Sequence, residues 1–144
     1  MRATRTAATR IAPNRDLILL ADDDGPCREA LRRSFEAMGL RVQTYPTCDG
    51  ALRFPRARRG EVLAVVMDYA FAAGRSGNAA VEAVGRRFAG IPAVLLSSDV
   101  SRASVASARA HGLHFVPKPV AADALAAMIG HIAAPLATPA GRAA

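Results

Sequence analysis

The chain has 144 residues, of which 51% are hydrophobic, and this length and composition favour one folded domain and exclude a wholly disordered chain. Charges, Gly or Pro interrupt every apolar stretch before it reaches about 18 residues, so the sequence predicts no membrane-spanning helix. Lys and Arg number 19 against 12 Asp and Glu, and the resulting net charge of +7 makes nucleic-acid binding the first hypothesis to weigh.

The two ends of the chain carry no periodic apolar pattern. We predict a basic flexible arm over residues 1–15, a folded domain over 16–133 and a disordered tail over 134–144. The arm lacks the apolar segment that a secretory signal requires. Cys27 and Cys48 fit no zinc-binding spacing, so they predict reduced thiols in a cytoplasmic protein.

The folded domain begins with a strand, a helix and a second strand. Residues 17–21 are an apolar run of strand length, and residues 41–45 alternate like a strand. Between them apolar residues recur at helical spacing, with Pro26 suited to the first turn and Gly39 to the exit. The predicted apolar face of this helix comprises Cys27, Ala30, Leu31, Ser34, Phe35 and Met38.

A weaker helix and a buried strand follow. Thr47 and Asp49 are alternative caps for the helix, which Pro55 limits. Residues 62–67 are a continuous apolar run that leads directly to Asp68. The strand over 41–45 and this weaker helix therefore form a second strand–helix repeat, and the strand over 62–67 begins the third.

Two more repeats complete the pattern. A helix with Val81, Val84 and Phe88 on one face precedes a strand over 91–96, and a thin apolar helix over 101–111 precedes a strand over 113–116. A last amphipathic helix carries Leu125, Met128, Ile129 and Ile132. Five repeats with unbroken apolar strands predict an α/β fold, a five-stranded parallel sheet with helices on both faces in a doubly wound, flavodoxin-like (βα)5 arrangement.

Chemically reactive side chains follow four of the five predicted strands. In such sheets ligands bind at the carboxyl ends of the strands. Singly, each residue has a plain structural explanation, such as a helix cap for Asp24. Together, carboxylates at neighbouring strand ends repel one another and require a cation, and an all-oxygen acidic cluster suits Mg²⁺. The residues at this edge are Asp22, Asp23, Asp24, Asp68, Ser97 and Lys118.

Four strings carry a more specific resemblance. Residues 19–24, 65–69, 91–98 and 115–119 together resemble the receiver domain of bacterial two-component response regulators. The match spans residues 16–133 and has one motif at each expected strand. The resemblance implies a stand-alone signalling domain, not an enzyme, whose only catalysis is its own phosphorylation and dephosphorylation.

The resemblance also implies residue roles. Asp68 is the phosphoryl acceptor, and Asp22, Asp23, Asp68 and the Ala70 backbone carbonyl hold Mg²⁺ or Mn²⁺. Ser97 and Lys118 contact the phosphoryl group, the Lys118–Pro119 bond is cis, and Phe115 is the switch aromatic. The implied partners are a sensor histidine kinase or histidine phosphotransfer protein, an unknown downstream protein and, as an option, a second copy of the chain.

The loop after the acceptor departs from the usual family pattern. Ala72 stands where a proline is common, Gly77 comes one residue late, and Ser98 follows Ser97 in place of Ala or Gly. The loop is instead similar to receivers appended to hybrid histidine kinases. These changes bear on the loop geometry and on the lifetime of the phosphoryl group, while the identity of the acceptor is unaffected.

Three other readings compete with the receiver. A degenerate receiver would act only as a phosphorylation-independent scaffold. A basic nucleic-acid adaptor fits the net charge, but the sequence has no helix-turn-helix segment and few aromatic residues for base stacking. An aspartate-nucleophile phosphatase needs a second Asp two residues after the first, where this chain has Ala70.

Overall fold

The computed structural model describes residues 15–68, 77–97 and 102–134, without the side chains of 77–80 and 102–104. Five parallel strands form one sheet in the order β2-β1-β3-β4-β5. The strands are β1 (Leu17–Ala21), β2 (Arg41–Tyr45), β3 (Val62–Asp68), β4 (Ala93–Ser97) and β5 (His114–Pro117). The predictions for the N-terminal arm, the loop after Asp68 and the C-terminal tail lie outside the described residues, apart from residues 15 and 134.

Within the described residues, five α-helices connect or follow the strands. They are α1 (Gly25–Ala37), α2 (Cys48–Leu52), α3 (Gly77–Arg87), α4 (Arg102–Ala110) and α5 (Ala122–Ile132), and a 3-10 helix (Arg56–Glu61) links α2 to β3. This architecture confirms the predicted doubly wound α/β fold. None of the helices in these ranges is long and apolar enough to cross a membrane.

The two faces of the sheet bury separate hydrophobic clusters, as the unbroken apolar strands predict. On one face α2, α3 and α4 cover the sheet through residues such as Ala51, Val84 and Ala108. On the other face α1 and α5 contribute Phe35 and Ile129, both completely buried. The site-bearing strand β3 is buried along its whole length.

The predicted apolar face of α1 is wrong in part. Only Leu31 and Phe35 are buried, whereas Cys27, Ala30 and Met38 are exposed. The sheet meets α1 along a narrow stripe, so the wider stripe expected from helical spacing is not all covered.

Small boundary differences have identifiable causes. β4 begins at Ala93, two residues later than predicted, after Pro92. β5 begins at His114, because the Leu113 N–H donates to the Ala108 carbonyl and closes α4. The predicted exit of α1 at Gly39 is confirmed by its φ of 85°, and Gly112, which follows α4, has a φ of 73°. Glycine adopts both values without steric cost.

We predict that Phe35→Ala lowers the free energy of unfolding by about 3–5 kcal/mol, because it leaves a cavity between α1 and the sheet. Urea denaturation measures the change. Arg33→Ala on the same helix is the control, because its side chain is 74% exposed and its loss costs no more than about 0.5 kcal/mol. A loss below about 1 kcal/mol in Phe35→Ala would contradict the packing described for α1.

Candidate functional site

An acidic cluster lies where β1 and β3 end. The two strands are hydrogen-bonded neighbours with Ala21 opposite Met67, so Asp22 and Asp68 leave the sheet side by side. Carboxylate oxygens of Asp22, Asp23 and Asp68 all lie within 4.8 Å of one another. The predicted convergence of these three carboxylates is therefore observed.

Asp22 is the most unusual member of the cluster. Its side chain is buried, with the residue only 1% exposed. One oxygen, Oδ1, accepts a 2.9 Å hydrogen bond from the Asp24 N–H, whereas Oδ2 has no hydrogen-bond partner among the described residues. Burial raises the pKa of Asp22, the Asp24 amide opposes that rise, and the negative charge of Asp68 adds to it. A buried carboxylate oxygen without a donor is suited to a cation.

Asp24 has a different role from the cluster. Its Oδ1 accepts a 3.2 Å hydrogen bond from the Cys27 N–H and caps α1, and Pro26 lies in the first turn. The capping explanation given to Asp24 by the sequence is thus confirmed. The cap also fixes the start of α1 directly after Asp22 and Asp23.

Lys118 supplies the positive charge at the site. Its Nζ lies 3.0 Å from Asp68 Oδ2, and its side chain is 30% exposed against 6% for Asp68. Burial works against the charged ammonium, but the hydrogen bond and charge of Asp68 outweigh that effect and raise the pKa of Lys118. The Lys118–Pro119 peptide bond is cis, as the family resemblance implied.

Ser97 and Phe115 lie on neighbouring strands beside the cluster. Ser97 is completely buried at the end of β4, and its carbonyl accepts a 2.8 Å hydrogen bond from the Lys118 N–H. Phe115 is half-buried and pairs with Leu95 in the strand register. Because residues two apart on a strand share a face, Ser97 and Phe115 lie on the same side of the sheet.

The residues present fit a hard divalent cation. Asp22, Asp23 and Asp68 offer only oxygen ligands, which Mg²⁺ and Mn²⁺ prefer. The Asp22 Oδ2, which has no hydrogen-bond donor among the described residues, is an independent indication, because a buried carboxylate oxygen requires a donating or positively charged partner. Ala70, expected to add a backbone carbonyl, lies outside the described residues.

A cavity of about 330 Å³ beside the cluster is a feature that sequence reasoning missed. It lies between the start of α1 and the segment after β5, and Asp22 and Lys118 line its polar end. Cys27, Ala30, Leu31, Leu96, Pro119, Val120 and Ala122 contribute to the rest of its lining. The sequence signal for this cavity is that the apolar face of α1 is wider than the part that the sheet covers, since Cys27 and Ala30 belong to that face and line the cavity.

We predict that saturating Mg²⁺, at about 100 times its Kd, raises the free energy of unfolding by about 2.7 kcal/mol, and that Asp22→Asn abolishes this increase. In metal-free buffer the same variant is more stable than the original chain, because it removes a buried charge. This advantage narrows as the pH falls, since the raised pKa lets Asp22 take up a proton in the folded state. Urea denaturation at several pH values measures both effects.

Asp49→Asn is the matched control, because Asp49 is exposed on α2 and is not one of the three clustered carboxylates. It keeps the full Mg²⁺ effect. An unchanged Mg²⁺ effect in Asp22→Asn would remove Asp22 from the cation site.

Comparison with known proteins finds similarity in structure alone. No protein-family model matches the sequence, and no curated protein sequence matches it. A CheY-like response regulator receiver domain protein from Methanospirillum hungatei superposes with a TM-score of 0.71 at 18% identity, covering 84% of this chain and 95% of that one. At 20% identity, a response regulator from Burkholderia pseudomallei gives a TM-score of 0.65 and covers 83% of this chain and 69% of that one.

The CheX–CheY complex from Borrelia burgdorferi contains a further similar chain, with a TM-score of 0.69 at 14% identity. The alignment covers 81% of this chain and 87% of that one. All three comparisons extend over more than four fifths of this chain. The described part of the chain therefore has the fold of a CheY-like response regulator receiver domain.

Proposed function

We propose that this chain is a response regulator receiver that accepts a phosphoryl group on Asp68 from a sensor histidine kinase or histidine phosphotransfer protein in the cytoplasm. The observation that carries the proposal is the arrangement around Asp68. Its carboxylate is grouped with Asp22 and Asp23 and lies 3.0 Å from the Lys118 ammonium. A nucleophile, a cation site and a fixed positive charge are what acyl phosphate formation requires.

The reaction is an in-line displacement at phosphorus. An Asp68 carboxylate oxygen forms the new O–P bond while the N–P bond of the donor phosphohistidine breaks, and the imidazole leaves with its electron pair. In the reset reaction water attacks the phosphorus, the O–P bond breaks, and inorganic phosphate leaves with the Asp68 carboxylate restored. Positioning and electrostatics account for most catalysis of such transfers.

The neighbouring residues determine the charge balance. Asp22 and Asp23, with Asp68, would hold Mg²⁺ or Mn²⁺, which when bound supplies positive charge to the phosphoryl oxygens. Lys118 already contacts Asp68 and would transfer its hydrogen bond to a phosphoryl oxygen as Asp68 becomes an acyl phosphate. Because Asp22 is buried, the positive charge of a bound ion would lie in a region of low dielectric, where its attraction to the phosphoryl oxygens is strong.

Two of the structural neighbours support the proposal by what they contain. The Burkholderia pseudomallei protein has a phosphorylated aspartic acid and a calcium ion. The Borrelia burgdorferi complex contains BeF3 and Mg²⁺. Both proteins have the fold of this chain. The acidic cluster of this chain offers oxygen ligands of the kind that bind calcium and magnesium ions.

Access to the site favours a protein donor. The cavity beside Asp22 and Lys118 has an apolar wall that includes Ala30, Leu31 and Val120. A partner helix or loop could cover this wall while presenting its phosphohistidine to Asp68. Contact with the donor would thus exclude water from the transfer step.

Phosphorylation would act through Ser97 and Phe115. The phosphoryl group carries about −1.5 to −2 of charge in place of the single negative charge of the Asp68 carboxylate, and the buried Ser97 hydroxyl on the neighbouring strand β4 is a hydrogen-bond donor. Movement of Ser97 towards the phosphoryl oxygens would open space on the side of the sheet that Phe115 shares. Inward rotation of Phe115 would then change the surface of β5, which a downstream partner reads.

We predict that acetyl phosphate with Mg²⁺ adds one phosphoryl group to the chain, and that Asp68→Asn abolishes the addition, because the amide is not a nucleophile. Intact mass spectrometry measures the modification, and EDTA prevents it. Lys118→Gln slows it by about 10²-fold, because the ammonium contact with Asp68 is lost.

Asp49→Asn is again the control, with the rate of the original chain expected. A protein that stays unmodified, or that is modified equally in Asp68→Asn, would contradict the proposal and favour a scaffold without phosphorylation.

We also predict that Phe115→Trp reports the switch. The chain contains no tryptophan, so this variant has a single indole fluorophore. Phosphorylation shifts its emission to shorter wavelength as the ring becomes buried, and the combined variant Ser97→Ala, Phe115→Trp shows no shift although it is still phosphorylated. Identical spectra before and after phosphorylation would remove Phe115 from the switch.

A further inference from the structure

A second charged region lies at the edge of the sheet opposite the acidic cluster. α2 ends there at Leu52, the 3-10 helix Arg56–Glu61 follows, and α3 ends there at Arg87. Arg56, Arg59 and Arg87 come from these segments, and we refer to them as the arginine cluster. The receiver function proposed above uses none of the three.

Backbone carbonyl groups hold two of these guanidinium groups in place. Arg87 donates from Nε to the Leu52 carbonyl at 2.9 Å and from Nη2 to the Phe54 carbonyl. Arg59 donates from Nη2 to the Ala89 carbonyl. The hydrogen bonds run in both directions between the end of α3 and the segment after α2, so they hold Arg59 and Arg87 on adjoining segments.

The charges of the arginine cluster are not neutralised. Within residues 15–68, 77–97 and 102–134, no carboxylate lies within ion-pair distance of its members. The nearby Glu61 carboxylate contacts Arg58 at 2.9 Å and Arg41 at 3.3 Å. On α3, Glu82 contacts Arg86 at 3.2 Å.

Proximity within the cluster has an electrostatic consequence. Burial lowers the pKa of Arg87, and the positive charges of Arg56 and Arg59 lower it further. Like charges that are held together repel one another, and this repulsion persists while no anion is bound. A compact anion with more than one negative charge would remove the repulsion.

We propose that the arginine cluster binds a pyrophosphate group, as free pyrophosphate or as the diphosphate of a nucleotide. The planar guanidinium fork matches the spacing of phosphate oxygens and forms paired, charge-assisted hydrogen bonds. Carbonyl groups fix the orientation of Arg59 and Arg87, which lowers the entropy lost on binding, and each guanidinium keeps N–H groups that bond no carbonyl. Three positive charges match the charge of a diphosphate better than that of a single carboxylate.

The test uses the full chain in buffer with EDTA, so that pyrophosphate carries no metal to the acidic cluster. Titration with sodium pyrophosphate should shift the side-chain Nε–Hε NMR signals of Arg56, Arg59 and Arg87 and leave that of Arg33 unchanged. Calorimetry gives the affinity. The double variant Arg56→Gln, Arg59→Gln should bind at least about tenfold more weakly, since it removes two of the three charged donors.

Arg33→Gln, Arg86→Gln is the matched control for net charge. It removes two exposed arginines that already contact Glu29 and Glu82, and its affinity should stay within about twofold of the original, as expected for residues outside the site. Arg87 is left intact because it bonds two carbonyls, and the single variant Arg56→Gln, at an exposed side chain, serves if the double variant does not fold.

Titration with adenosine diphosphate distinguishes the two sources of the pyrophosphate group. Equal affinity for both ligands identifies the diphosphate alone as the recognised group, and tighter binding of the nucleotide identifies a nucleotide site. Both results support the proposal. Absence of shifts in the arginine cluster, equal weakening in both double variants, or binding of duplex DNA without binding of pyrophosphate would overturn it.

Discussion

The buried Asp22 carboxylate is the constraint on which the rest of the site depends. Its Oδ2 is enclosed and receives no hydrogen bond from the described residues, and Asp68 adds a second negative charge nearby. The Lys118 ammonium donates its hydrogen bond to Asp68 and not to Asp22 Oδ2. An enclosed charge of this kind destabilises the fold unless a cation joins it. The stability of the protein and its capacity to accept a phosphoryl group thus depend on the same atoms.

The parallel sheet gives the molecule two chemically different edges. All five strands point in one direction, so the residues that follow them collect at one edge and the ends of α2 and α3 collect at the other. The first edge carries Asp22, Asp23 and Asp68, whereas the second carries the arginine cluster. The net charge of +7 is therefore no guide to the character of the site. The acidic cluster is the part of the molecule that we expect to perform chemistry.

Much of this account could be predicted from the sequence, because its signals are local. Unbroken apolar runs predict buried parallel strands, and a reactive residue after a strand must lie at the carboxyl edge, as Asp22, Asp68 and Lys118 do. Helical spacing alone could not show how much of α1 the sheet covers, so the predicted apolar face includes Cys27 and Ala30, which are exposed. The carbonyl contacts of Arg59 and Arg87 join segments about 30 residues apart, and a charge pattern along the chain does not reveal such contacts.

The central claim is that the Asp22 oxygen without a donor is a cation ligand. The position of Mn²⁺ in crystals soaked with the ion, read from its anomalous scattering, tests this claim most directly. Our account predicts a peak within bonding distance of Asp22 Oδ2 and of an Asp68 carboxylate oxygen. A fully soaked crystal with no peak at Asp22, or with a peak only elsewhere on the surface, would contradict it.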